Sequence, residues 1–313
     1  MAWSTVEALA PVFFVIALGW GCGRWRLIDN VDVSSLNTLV MQIAIPVALF
    51  AILASSSRTD LLGHAPMAAV VLLAMTVVYA GVFVMGRRHH GRSSDAAIQA
   101  LTVAFPNAAA VGLPLADTVM GPTGALTVAV TLAVGSVTLS PVTILLVQRD
   151  SGSAADGGAS PRLSARAVAV ALAKPIVIAP LLGLVYSLSG VPLPHVVDAT
   201  LSEIGMVSAG LALFLTGLVL SAQRIEITAG AVVSTIVSVL VRPAIAYALA
   251  LAFALPPAAT ADAVLIMAVP AGFFGVLLGL SLGAKSALAG TTLLLSTVLA
   301  AVTLPLVITW LPR

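Results

Sequence analysis

Ten stretches of mostly apolar residues follow one another along this chain, and each is long enough to cross a bilayer as a helix. A helix rises ~1.5 Å per residue, so ~20 residues span a hydrocarbon core of ~30 Å. The stretches lie near residues 7–24, 34–54, 66–86, 95–117, 122–147, 166–188, 198–220, 228–254, 260–282 and 286–310. With 60% hydrophobic and 8% charged residues, the chain cannot cover a soluble domain with polar surface. We therefore predict an all-α polytopic membrane protein with ten transmembrane helices in a lipid bilayer.

A polar, Gly/Ser-rich segment between the fifth and sixth spans divides the chain into two predicted halves. These are residues 1–147 and 166–313, joined by a linker at 148–165. Basic residues are crowded on one side of the predicted membrane: Arg24, Arg26, Arg87, Arg88, Arg92, Arg149, Arg162, Arg166, Arg224 and Lys285, against Arg58 and Arg313 on the other. The positive-inside rule makes the crowded side cytoplasmic, with the linker inside and both termini outside. Because the net charge is only +2 and scattered, we expect no nucleic-acid partner.

The two halves resemble each other at one fixed offset of 164 residues. At that offset Pro11 falls on Pro175, Gly19 on Gly183, Pro106 on Pro270 and Pro141 on Pro305, and Ala48-Leu49-Phe50 falls on Ala212-Leu213-Phe214. Prolines are few, 18 in 313 residues, so this register is hard to obtain by chance. Each half has an odd number of spans, and the second half must therefore enter the bilayer from the opposite side. Such an inverted repeat is typical of secondary transporters.

Proline breaks the fourth and ninth spans at matching depths. Pro106 removes a backbone donor and should open the fourth helix, and Pro270 should do the same in the ninth. Counted from the span ends, both breaks lie near the membrane midplane. If the broken helices cross, two helix N-termini with free N–H groups converge there, beside the amide of Asn107, and would suit a carboxylate. The predicted substrate-binding residues are Asn107, Pro106, Ala108, Pro270, Ala271 and Gly272, together with Gln42 of the second span. Two proline kinks that only shape packing are the alternative.

Few ionisable or polar side chains lie within the predicted spans. Arg242 is near the midplane of the eighth span, whereas Lys174 is close enough to the cytoplasm to extend its ammonium to water. Glu203 and Asp262 lie in the outer third of the membrane, too far from Arg242 for a simple ion pair. If Arg242 acts as a fixed cation, anion transport should not require a bound sodium ion. The alternative is that Glu203 or Asp262 carries a coupling proton.

Two further patterns have both structural and functional interpretations. Gln42 in the second span and Gln99 in the fourth either line a cavity or bond neighbouring helices. Glycines at 275, 279 and 283 form a strip for close helix packing, for sliding, or for contact within a homodimer. We expect neither a metal nor another cofactor, and His89-His90 is better explained as part of a charged turn.

Several of these motifs resemble the auxin efflux carrier family, which includes plant PIN carriers and bacterial permeases for malonate and malate. The most specific is the run from Pro106 to Leu115, similar to the family's Pro-Asn…Gly-Leu-Pro-Leu crossover. Supporting segments are Gly23-Arg-Trp25, Ala44-Ile-Pro-Val-Ala-Leu-Phe50 and Ala268-Val-Pro-Ala-Gly272. The short linker, and Ala271 where plant carriers often have glutamine, favour a bacterial plasma-membrane permease for a small organic anion over an auxin carrier.

The resemblance implies a sodium/proton-antiporter-like fold that works by an elevator motion. It assigns the first, second, sixth and seventh spans to a scaffold and the third to fifth and eighth to tenth to a transport domain. It also implies that Asn107 holds the substrate carboxylate. The alternatives are a sodium-coupled symporter of the bile-acid type and a membrane sensor of organic acids without flux. An enzyme is not expected, because no HExxH motif, Ser/His pair or paired aspartates lie within the spans.

Overall fold

The computed structural model describes residues 2–90, 93–121, 124–155, 169, 172–222, 225–284 and 286–311. Within these residues the regular structure is helical, apart from an isolated β-bridge. In chain order the helices are α1 (Ala2–Arg24), α2 (Ser34–Ser55), α3 (Arg58–Gly63), α4 (Ala65–His90), α5 (Ser93–Ala104), α6 (residues 108–120), α7 (Gly124–Ala155), α8 (Pro175–Leu188), α9 (His195–Ala222), α10 (Ala229–Ala252), α11 (Pro257–Ala268), α12 (Phe274–Ser281) and α13 (Ala287–Trp310).

Six of the described helices are long and apolar enough to cross a membrane: α2, α4, α7, α9, α10 and α13. Shorter apolar helices are α8, α11 and the Ala10–Arg24 part of α1. Backbone hydrogen bonds inside a helix satisfy the peptide groups that lipid cannot solvate, so an all-helical chain of this hydropathy is suited to a bilayer. The class predicted from sequence, an all-α polytopic membrane protein, is confirmed, while the number of ten spans stays a prediction.

Two boundaries differ from the prediction. Helix α7 continues beyond residue 147 to Ala155, so the first part of the predicted linker is helical. The Asp150 side chain accepts a hydrogen bond of 2.7 Å from the Ser94 N–H, which ties this extension to the start of α5. Lys174 lies in extended backbone immediately before α8 instead of within a helix, because a residue that precedes proline disfavours the helical conformation. Residues 156–165 of the predicted linker lie outside the described residues.

The helices pack in two groups. In the first group α1 packs along α9, α8 packs along α2, and α9 also contacts α2. In the second group α4, α5 and α7 pack together, α10 packs against α11 and α4, and α13 contacts α5, α10 and α11. The first group corresponds to the predicted scaffold spans and the second to the predicted transport spans, and α7 also touches α8 and α2 between them.

Two close helix contacts are related by the offset of 164 residues. A Cβ atom at Gly19 of α1 would overlap the carbonyl of Phe214 in α9, and a Cβ atom at Gly183 of α8 would overlap the carbonyl of Phe50 in α2. Adding 164 to residues 19 and 50 gives 183 and 214, so the two contacts use the same pair of repeat positions. The packing is thus what an internal two-fold relation between the halves would produce.

The glycine strip of α12 is a packing surface inside the second helix group. Gly275 faces Thr102 and the Ile98 carbonyl of α5 so closely that a side chain there would collide, and a Cβ atom at Gly279 would make a tight contact of 3.0 Å with the Ile98 side chain. Gly283 lies beyond the end of α12 with a φ of +71°, a conformation that favours glycine. Gly275 and Gly279 therefore pack α12 against α5, while a sliding or homodimer role of the strip stays a prediction.

Glycine-to-alanine substitutions in α9 test the packing between α1 and α9. Gly217→Ala would drive its methyl group into the Ile16 carbonyl, whereas Gly210 in the same helix has open space around it. Overpacking typically destabilises a protein by ~1–3 kcal/mol, while alanine for glycine at an uncrowded helix position gains up to ~1 kcal/mol. We expect Gly217→Ala to lower the melting temperature in detergent and Gly210→Ala to hold or raise it. Equal melting temperatures for the two variants would contradict this packing.

Candidate functional site: the helix crossover

The breaks predicted at Pro106 and Pro270 are present, and they meet. Helix α5 ends at Ala104 and α11 at Ala268, and the extended segments that follow form an antiparallel β-bridge between Pro106 and Ala271. The Asn107 N–H donates to the Pro270 carbonyl at 3.0 Å, and the Gly272 N–H donates to the Thr102 carbonyl at 2.9 Å. A Cβ atom at Gly272 would overlap the Phe105 carbonyl, so glycine is required where the two chains approach.

Asn107 is buried at the start of α6 with an unused side chain. Its exposure is 1%, and neither atom of its side-chain amide has a hydrogen-bond partner among the described residues. Its carbonyl accepts the N–H groups of Val111 and Gly112, so the first turn of α6 is π-helical and begins directly at Asn107. An unpaired buried amide costs ~1–3 kcal/mol, so such a group is retained where a ligand or water completes it. Short π-helical segments are themselves frequent at functional sites.

Arg242 supplies a positive charge to the crossover from α10. Its side chain is fully buried, and each of its hydrogen bonds to described residues ends on a main-chain carbonyl instead of on Glu203 or Asp262. The acceptors are Met267 at 2.8 Å, Val103 at 2.6 Å, Pro270 at 3.3 Å and Val269. Val103 is at the C-terminal end of α5, and the others are at or just beyond the end of α11. The guanidinium therefore satisfies the negative ends of both broken helices.

The remaining wall of the crossover is apolar, with a few unpaired hydroxyls. The rings of Phe105 and Phe274 stack with centroids 4.6 Å apart, and Gly135 of α7 lies against the Phe105 ring. Val128 of the same helix faces Gly112, so residues 128–135 run alongside residues 105–112. Thr131 lies on this face of α7, between Val128 and Gly135, and its buried hydroxyl has no hydrogen-bond partner among the described residues. On the opposite strand of the crossover, the Ala271 N–H donates to the Ser296 hydroxyl at 3.1 Å.

Gln42 and Lys174 belong to a cavity away from the crossover. The Lys174 cavity, of about 420 Å³, is lined by α2 (Thr38, Gln42), by Lys174 before α8, and by α12 (Leu278, Ser281). Leu278 is seven residues beyond Ala271, so the cavity lies ~10 Å along the chain from the crossover. Asp32 stands at its rim, where hydrogen bonds from the hydroxyl and the N–H of Ser34 hold the pKa of the Asp32 carboxyl below its ordinary value.

The two predicted carboxylates are not at the crossover. Glu203 is exposed on α9, and Asp262 is half-buried in α11, six residues before the end of that helix at Ala268. Gln99 is buried in α5 and donates from its amide nitrogen to Thr292 at 3.0 Å, so it bonds neighbouring helices. The described residues contain no cluster of three His, Cys, Asp or Glu side chains that would hold a metal ion, and the side chains of His89 and His90 lie outside the described part.

Sequence reasoning missed Asn37, Thr131 and Ser296. Asn37 is 6% exposed, donates to the Leu277 carbonyl at 3.2 Å, and leaves its side-chain oxygen unpaired at the wall of the Lys174 cavity. These residues look like ordinary polar positions in apolar spans, and their roles depend on contacts between distant parts of the chain. The signal that could have indicated Thr131 and Ser296 was the recurrence of Ser and Thr along the fifth and tenth spans, because hydroxyl groups inside a membrane need hydrogen-bond partners.

Two broken helices that cross next to a buried asparagine and a buried arginine are an arrangement typical of membrane transport proteins. A family model described as "Membrane transport protein" matches residues 4–308. The chain therefore belongs to this family, the auxin efflux carrier family that the crossover motif indicated. Among its relatives, the uncharacterized transporter YfdV of Escherichia coli strain K12 is 27% identical over 277 residues, covering 86% of each chain. The YfdV proteins of Escherichia coli O157:H7 and Shigella flexneri match equally well. The family is one of transporters and not of enzymes.

Proposed function

We propose that the chain is a secondary transporter for a small organic anion whose carboxylate binds at the crossover, beside Asn107. The observation that carries the proposal is the Asn107 amide, which is buried and unpaired at the N-terminal end of α6. The positive end of that helix and the guanidinium of Arg242 favour an anion there, while the amide contributes a neutral donor. The stacked Phe105 and Phe274 rings leave an apolar wall that suits the carbon skeleton of an acid.

The proposed architecture is ten spans in two inverted repeats, with a scaffold and a moving transport domain. The matched contacts of Gly19 with Phe214 and of Gly183 with Phe50 support the repeat. Long-range polar contacts support the division: Asn30 bonds Ser221 and Ser187 bonds Ser56 within the scaffold spans, and Arg242 bonds α5 and α11 within the transport spans. An elevator motion needs such internally bonded groups with a weaker contact between them. A cytoplasmic linker, outward termini and a bacterial plasma membrane remain part of the proposal.

Arg242 takes the place of a coupling cation in this proposal. A cation at unwound main-chain carbonyls is what sodium-coupled transporters with broken helices use, and here a tethered guanidinium occupies those carbonyls. Uptake into proteoliposomes should therefore be unchanged when choline replaces sodium on both sides. Strict sodium dependence would contradict this role and would favour a symporter of the bile-acid type. A proton carried by Glu203 or Asp262 would show instead as a dependence on the pH gradient.

Ligand-induced stabilisation tests the substrate class. The purified protein is screened by thermal shift against malonate, malate, acetate, indole-3-acetate and taurocholate at constant ionic strength. A ligand that binds only the folded state raises the melting temperature as its concentration exceeds its Kd. We expect stabilisation by short carboxylates, and a response to taurocholate alone would overturn the proposed substrate class. Flux of the best acid then separates a carrier from a sensor, which would bind without transport.

A further inference from the structure

We propose that the Lys174 cavity is a second anion site, separate from the crossover, that binds a short carboxylate on its way to or from Asn107. This inference rests on the proposed function for the identity of the anion. Its volume of about 420 Å³ is within the range of small-molecule pockets. Its walls come from both helix groups, α2 and the start of α8 on one side and α12 on the other. A ligand there touches the scaffold and the transport domain together.

Lys174 gives the cavity its charge. It is half-buried at the N-terminal end of α8, a helix of 14 residues, and among the described residues no carboxylate or carbonyl holds its ammonium group. The positive end of a helix and an uncompensated ammonium reinforce each other, and both favour an anion. The other ionised group of the lining, Asp32, is already bonded to the hydroxyl and N–H of Ser34 at the rim. The anion therefore meets Lys174 as its charge partner.

Asn37 is the second, independent sign of a ligand. Asn37 is 94% buried and lines the cavity, and its amide nitrogen donates to the Leu277 carbonyl, but its side-chain oxygen has no hydrogen-bond partner among the described residues. An amide oxygen only accepts hydrogen bonds, so malonate reaches it through a water that donates to both. The exposed amide of Gln42 adds a donor from the same helix. The Asn37–Leu277 bond also crosses between the two proposed domains, so the site lies where they separate.

The cavity related by the offset of 164 residues does not have the same charge. It is lined by Ser202, Gly205 and Met206, at the repeat positions of Thr38, Met41 and Gln42, and its volume is about 440 Å³. Its lining contains the carboxylate of Asp198 and no lysine or arginine. A carboxylate ligand is therefore favoured in the Lys174 cavity and repelled in the cavity that contains Asp198. The second anion site thus has no counterpart at the equivalent position of the other repeat.

The test measures malonate binding to purified variants by isothermal titration calorimetry at constant ionic strength. Because the proposal has two malonate sites, the Lys174 variants are made in the Asn107→Ala background, which leaves one site. A hydrogen-bonded charge pair typically changes affinity ~10- to 100-fold, so Lys174→Gln should there raise the Kd for malonate at least ~10-fold. Lys174→Arg keeps the charge and should stay within ~3-fold of that background. Arg58→Gln, which removes a cation near the opposite end, is the matched control and should leave the Kd unchanged. All variants are first checked for a wild-type melting temperature, and Lys174→Met, which also removes the charge, replaces Lys174→Gln if that variant is poorly folded.

Asn107→Ala distinguishes this site from the crossover. If the sites are separate, Asn107→Ala abolishes malonate uptake but retains malonate binding that Lys174→Gln removes. An unchanged Kd in Lys174→Gln, loss of all binding in Asn107→Ala, or no malonate binding by the wild-type protein overturns the second site. Normal uptake by Asn107→Ala overturns the proposed function instead. The two failures therefore give different results.

Discussion

Arg242→Met is expected to destabilise the protein strongly and to abolish transport. The change removes the donors to four main-chain carbonyls, of Val103, Met267, Val269 and Pro270, while methionine fills much of the same space. The Pro270 carbonyl keeps the Asn107 N–H as a donor, so three carbonyls lose the arginine without that replacement. At ~1–3 kcal/mol for each buried carbonyl, the total loss is on the order of 4 kcal/mol or more. The ends of α5 and α11 would keep their β-bridge but lose their hydrogen bonds to α10.

Thermal unfolding in detergent and uptake into proteoliposomes measure the effect of Arg242→Met. The thermal stability and uptake of Arg242→Lys should lie between those of Arg242→Met and of wild type. A lysine ammonium cannot reproduce the planar guanidinium, whose N–H groups reach several carbonyls at once. Arg24→Met, at the exposed end of α1, is the control and should behave as wild type. Wild-type stability and uptake in Arg242→Met would show that the crossover holds together without the arginine.

Asn107→Ala is expected to have the opposite combination of effects, with transport lost and stability kept. The Asn107 amide makes no hydrogen bond to the protein, so alanine breaks none and removes two unpaired polar atoms. Stability should hold or rise, as is common when an active-site residue is optimised for a ligand and not for the fold. A hydrogen bond to a charged ligand contributes ~1.5–3 kcal/mol, which predicts a ~10- to 100-fold fall in uptake at low substrate concentration.

Ser140→Ala is the matched control for Asn107→Ala. Ser140 also lies in the second helix group, and its buried hydroxyl has no hydrogen-bond partner among the described residues. It follows Thr131 by nine residues, which places it on the opposite face of α7. Both variants therefore remove an unpaired polar group of the core, and Asn107→Ala alone removes one from the crossover. If uptake falls equally in the two variants, Asn107 is not a specific substrate ligand.

The sequence predicted the features that depend on local residue types, namely the helix breaks at prolines and the depth of residues within apolar spans. Pro106 and Pro270 fixed the two breaks because a residue without an N–H cannot continue a helix, and counting residues was enough to match their depths. The depth of Arg242 was equally readable, and the absence of an ion pair with Glu203 follows from it. The offset of 164 predicted equivalent breaks in two inverted halves but left open whether the broken helices cross. The crossing is seen in the contacts between residues 102–107 and 270–272.

The sequence did not show which residues contact one another when they are far apart along the chain. The acceptors of Arg242 are main-chain carbonyls, which carry no residue signature, and the Lys174 cavity combines residues separated by more than 100 positions. Asn37 gave no signal because a polar residue near the end of a span is ordinary. The continuation of α7 to Ala155 depends on the contact between Asp150 and Ser94, which composition alone cannot reveal.

Solute counterflow tests the central claim most directly. Proteoliposomes are loaded with an excess of the unlabelled carboxylate that gives the largest thermal shift and are then diluted into a trace of the same labelled acid. A carrier with an alternating site exchanges the two, so wild-type protein should accumulate label above equilibrium and then release it, with sodium or choline alike. Asn107→Ala should show no such overshoot. Binding of the acid by wild-type protein without any overshoot would contradict a transporter and would leave a sensor of organic acids.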